Sequence, residues 1–134
     1  MSDDVLEGNG YRLVFEYRAP LLVVHLQGDA DTTLERTRDY WQRIAARVAA
    51  CGAAQLLVLD ALPGEVMSDA DLLRFFDDVA GLGLEAVRIA YVEGRTDQVP
   101  RIEYVELLAL ERGYQVRVFS NESDARLWLR YGGA

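Results

Sequence analysis

The 134-residue sequence contains no lysine; all 14 basic side chains are arginine. Chemistry that needs an ammonium is therefore excluded: no Schiff base, no Walker-type phosphate loop, no lysine-assisted phosphoryl transfer. Histidine and cysteine each occur once, as His25 and Cys51. A single cysteine closes no internal disulfide, and one Cys with one His completes no structural zinc site. The four serines lack a Gly-x-Ser-x-Gly elbow. No apolar run approaches the length of a bilayer, so membrane insertion is not expected. The opening MSDDVLEGNG is acidic and polar, unlike a secretory leader. With the lone thiol, this leads us to expect a cytoplasmic protein.

What is present describes a globule. The length suits one domain with one core, and 51% of the residues are hydrophobic. The 22 acidic residues outnumber the basic ones and give a net charge of −8. A phosphate backbone or an anionic membrane would be repelled, so no nucleic-acid partner is expected.

Periodicity gives the element order. YRLVFEYR (11–18) alternates as a strand with one face toward solvent, and LLVVHLQ (21–27) follows as its hairpin partner. Residues 32–51 have helical spacing, with Leu34, Thr37, Trp41, Ile44, Val48 and Cys51 on one face. Gly52 stops that helix. Strands at 55–60, 86–92 and 114–120 then alternate with helices at 68–83, 99–113 and 121–131. The second helix turns Leu72, Phe75, Phe76 and Val79 inward; the last buries Ala125, Trp128 and Leu129. The order ββαβαβαβα predicts an α/β domain over residues 10–131, behind a flexible stretch at 1–9. Its sheet is mostly parallel with an antiparallel edge strand.

Chemistry-bearing residues gather at the strand tips. GDADTTLE (28–35) has the Asp-x-Asp-Thr look of a phosphohydrolase nucleophile, but the lysine such a site needs is missing. It reads instead as a helix start: Asp31 or Thr32 precedes the helix, and Thr32-x-x-Glu35 is a capping box. Ser68 is a good N-cap for the second helix, and Asp69 and Asp71 suit its positive end. In a parallel sheet, ligands bind beyond the carboxyl ends of the strands. That rim holds Asp29, Asp31, Asp60, Glu65, Asp69, Asp71, Glu93 and Asp97, opposed by Arg95 and Arg101. His25 lies mid-strand, away from the end of the helix that carries Cys51, so the two do not form a nucleophile and base.

Some of these residues resemble a known family. LLVLDALPGEVMSDADLLRFF is similar to the middle of the STAS domain of bacterial anti-sigma-factor antagonists: an apolar strand ending in Asp, a short loop, then a helix opening at Asp-Ser-Ser-Gly. The closing strand with Val118-Phe119, the acidic turn Asn121 to Asp124 and the helix with Ala125-Arg126-Leu127-Trp128-Leu129 resemble its SpoIIAA-like branch. The resemblance covers roughly residues 10 to 130 and implies a non-enzymatic regulatory module. In the antagonists a serine at the helix start is phosphorylated by a partner kinase. Counted from Asp60 without gaps, the motif falls on Ser68, Asp69, Ala70 and Asp71. The phosphoacceptor position is thus Ala70, without a hydroxyl, and Ser68 takes the role only if the loop shifts by two residues.

The leading expectation is therefore a protein that binds a protein partner, itself a homodimer, through Asp60, Glu65, Ser68, Asp69 and Asp71. It uses no cofactor and no metal. A second reading is a carrier of a small apolar or lipid ligand, a use of the fold by CRAL-TRIO-type domains; Phe75, Phe76, Tyr104 and Trp128 motivate it. A third is an enzyme holding a divalent cation at Asp29, Asp31 and Asp60.

Overall fold

In the computed structural model, residues 4–29 and 33–132 are described. Six strands form one sheet in chain order: β1 (Val5–Gly8), β2 (Tyr11–Arg18), β3 (Leu21–Gly28), β4 (Gln55–Asp60), β5 (Arg88–Glu93) and β6 (Gln115–Phe119). The first two pairings are antiparallel and the last three parallel. Helices α1 (Leu34–Cys51), α2 (Asp69–Val79) and α3 (Val99–Glu111) link the parallel strands, and α4 (Glu122–Tyr131) closes the chain.

This topology decides the layers. The parallel strands are added in one direction, so right-handed crossovers place α1, α2 and α3 on the same face. The larger core lies there, built on Leu13, Phe15, Leu22, Val24, Leu56 and Val58. On the opposite face α4 covers a smaller cluster of Val23, Leu57, Ala90, Val92, Ala125 and Leu129. The fully apolar middles of β4 and β5 follow from being covered on both sides. Tyr11, Leu13 and Phe15 are buried while Arg12 and Glu16 are exposed, as the alternation in β2 predicts.

Two local expectations change. Val5–Gly8, placed ahead of the domain by the sequence, pair with Tyr11–Val14 as an antiparallel edge strand. The cap of α1 is Thr33, whose Oγ1 accepts the Arg36 N–H at 3.1 Å. The capping box proposed for Thr32 and Glu35, and the role given to Asp31, fall partly outside the described residues. Gly52 ends α1 as expected, at φ 70° with its N–H bonded to the Val48 carbonyl. The inward face of α1 also includes Tyr40, which is buried, while Trp41 is only half-buried.

Candidate functional site

Adjacent strand tips bring two acids together on the helix-covered face. Asp60 ends β4 in phase with Leu56 and Val58, and Glu93 ends β5 in phase with Ile89 and Tyr91. They are register partners across the parallel pair, so their backbones lie about 4.8 Å apart. Both are inside the protein: Asp60 is 9% exposed and Glu93 4%. The Tyr91 hydroxyl donates to Asp60 Oδ2, and the Leu62 N–H donates to Oδ1 at 2.8 Å. Glu93 Oε1 accepts the Arg95 N–H at 3.1 Å. Gly94 lets the two tips approach: its N–H meets the Asp60 carbonyl at 2.9 Å, and a Cβ there would stand 2.7 Å from that oxygen.

Burial governs the charge of the pair. Desolvation raises the Asp60 carboxyl above its ordinary value, opposed by the bonds from Tyr91 and Leu62. Desolvation, with the neighbouring Asp60 charge second, pushes Glu93 up to about 7. Desolvation and the same Asp60 charge raise the Tyr91 and Tyr40 hydroxyls.

The pair borders a cavity of about 120 Å³ between the sheet and α1, α2 and α3. Phe75, Phe76, Ile89, Ile102 and Val116 form much of its wall. The loop between β4 and α2 runs over its upper end and is tied down by the segment after β5. Arg95 Nη1 donates to the Pro63 carbonyl at 2.6 Å, Gln98 Oε1 accepts the Val66 N–H at 3.0 Å, and Arg101 Nη2 donates to the Met67 carbonyl at 2.8 Å.

The residues selected from the sequence separate into two groups. Asp60 turns into the cavity and takes no part in an outer surface. Glu65, Ser68 and Asp69 are exposed and Asp71 half-buried. Ser68 Oγ accepts the Asp71 N–H at 3.3 Å as the N-cap of α2, and Asp69 pairs with Arg101 at 2.6 Å. Ala70 is exposed beside them, and Leu73, one turn from Asp69, is 47% exposed.

The aromatic residues separate as well. Phe75 and Phe76 line the cavity, Tyr104 lies on the outside of α3 under Arg101, and Trp128 packs against Arg88 and Phe119 on the far face. His25 stands on the sheet face opposite α1, 3.9 Å from Glu16, so the sheet separates it from Cys51. Asp29 pairs with Arg36 at 3.5 Å, and Asp31 lies outside the described residues. Among the described residues no group of three or more His, Cys, Asp or Glu is placed to hold a metal, and no helix is long and apolar enough to cross a membrane.

Sequence reasoning counted Glu93 as a rim acid, placed Thr37 on one face of its helix without giving it a role, and passed over Tyr91 and Tyr114; all four line the cavity. Glu93 is in phase with Ile89 and Tyr91, and the structure shows that this face of RIAYVE is the one under the three helices.

No family model matches the chain, and no curated protein matches it. Among solved structures it is similar to the crystal structure of an anti-sigma factor antagonist from Mycobacterium paratuberculosis. The two are 16% identical, with a TM-score of 0.52 over 88% of this chain and 92% of that one. The chain thus has the fold of an anti-sigma factor antagonist, a STAS-like α/β domain.

Proposed function

We propose that the protein is a non-enzymatic regulatory module that binds a protein partner through the start and outer face of α2. The observation that supports this most is the likeness of fold to an anti-sigma factor antagonist over nearly the full length of both chains. The surface itself suits the role. Glu65, Ser68, Asp69 and Leu73 are exposed together, an acidic margin around one apolar anchor. Counted from Asp60 without gaps, the antagonists' phosphoacceptor position falls on Ala70, which has no hydroxyl, so the proposed binding does not depend on a phosphate at that position. The Ser68 oxygen is already engaged in capping the helix.

The test is affinity capture with the purified chain as bait, alongside Leu73→Glu and the double variant Asp69→Asn, Asp71→Asn, each checked for folding by circular dichroism. Partners retained by the wild type should be lost with Leu73→Glu and reduced by the double variant. Retention of every partner by both variants overturns the assignment of this surface. The cavity favours a second reading, the holding of a small ligand beneath the helices, which leaves the α2 surface free.

A further inference from the structure

The lining of the cavity specifies the charge of a ligand. Its polar side chains are Asp60, Glu65, Glu93 and Glu106 with threonine and tyrosine hydroxyls and the Trp41 indole, and none of the described lining residues is an arginine. Arg95, whose charge is felt at Glu93, directs its guanidinium elsewhere: to Asp97 at 2.7 and 3.2 Å and to the Pro63 carbonyl at 2.6 Å. An anion entering the cavity would meet buried carboxyls and no cation. Two buried acids side by side, with no cationic side chain bonded to either carboxyl among the described residues, are costly, and they lower that cost by taking up protons or by gaining a positive partner.

Three further features fit a positive partner. The side-chain oxygen of Tyr114, a residue 7% exposed that lines the cavity, makes no hydrogen bond among the described residues. A buried polar atom without a partner is rare and asks for an occupant. Aromatic rings make up the walls beside the acids: Trp41 stacks on Tyr91 with centroids 6.4 Å apart and meets Phe75 at 6.4 Å. Ring faces attract cations most strongly where water is excluded. Size sets the limit, since a dry cavity of about 150 Å³ accepts benzene. The 120 Å³ here suits a body about that large and not a long acyl chain.

We propose that this cavity binds a small organic cation, a primary amine on a benzene-sized apolar body, with its ammonium between Asp60 and Glu93 and its body against Phe75, Phe76 and Ile89. The proposal rests on the ligand-holding reading and adds the charge and size of the ligand.

Calorimetric titration of the full chain with benzylamine, benzyl alcohol and benzoate tests it, with chemical-shift mapping to locate each. Benzylamine should bind saturably, at least tenfold more tightly than benzyl alcohol, and shift the Trp41 indole signal; benzoate should not bind. Glu93→Gln should weaken benzylamine at least fivefold and leave benzyl alcohol unchanged. Val105→Phe, which fills the cavity, should abolish both. If benzyl alcohol or benzoate binds at these residues as tightly as the amine, the cation assignment falls while the ligand-holding reading stands. If none of the three binds saturably to a chain with a native spectrum, both fall.

Discussion

Glu93 ties the protein's stability to pH. Its pKa rises from the ordinary 4.5 to about 7, first through desolvation and second through the charge on Asp60. The folded chain therefore holds a proton between pH 4.5 and 7 that the unfolded chain releases, so stability falls as pH rises through this window and levels off above it. At about 1.4 kcal/mol per pH unit, the loss is on the order of 3 kcal/mol. Asp60, also raised by burial, acts with the same sign. Denaturant unfolding at pH 5 and pH 8 should show the wild type more stable at the lower pH. Glu93→Gln should remove most of the difference. A wild type that gains stability toward pH 8, or a variant with an unchanged slope, contradicts this account. Acidity at the strand tips was legible in the sequence, but inwardness was not. Asp60 has the same two-residue phase as Leu56 and Val58, yet QLLVLD is apolar on both faces, and such a run does not show which face the helices α1 to α3 cover.

At the scale of elements, the helix ends carry much of the legible information. Ser68 was identified as the cap of α2 because a short polar side chain preceded an amphipathic run, and its Oγ does accept the Asp71 N–H. Ser68→Ala should cost about 1 kcal/mol in urea unfolding, since one backbone amide loses its partner. Ser68→Asp should keep most of that stability, because a carboxylate also caps and favours the positive end of the helix. Equal loss from both variants would mean the cap is not what Ser68 contributes. The start of α1 shows why such reasoning drifts by one residue. Two threonines are adjacent in the sequence, and only the backbone turn shows that Thr33 caps the first amides. β1 was missed for a related reason. Val5–Gly8 has four residues with two half-buried positions, too short for alternation to stand out from noise, and pairing with β2 stabilises it.

The whole molecule is an unequal sandwich. The face under α1, α2 and α3 holds the large core, whereas α4 alone covers the other with Ala125, Leu129 and the half-buried Trp128. Two polar side chains fasten the end of α4 to the sheet. Arg88 donates to the Trp128 carbonyl at 3.0 Å and lies over the Trp128 ring at 4.0 Å; Gln55 donates to the Leu129 carbonyl at 2.9 Å. A cation at this end also complements the helix dipole. The small contact makes α4 the element most able to open without the rest. Leu129→Ala removes the larger of its two buried side chains and should cost roughly 2–4 kcal/mol. Because the large core stays intact, most of that cost should appear as local opening. Native-state hydrogen exchange should show α4 amides losing protection while those of β3 and β4 keep theirs. Ile44→Ala, in the middle of α1 over the large core, should lower protection across the sheet by a common amount. Uniform loss in both variants would mean that the two faces unfold as one, and that the fastening by Arg88 and Gln55 is stronger than its size suggests.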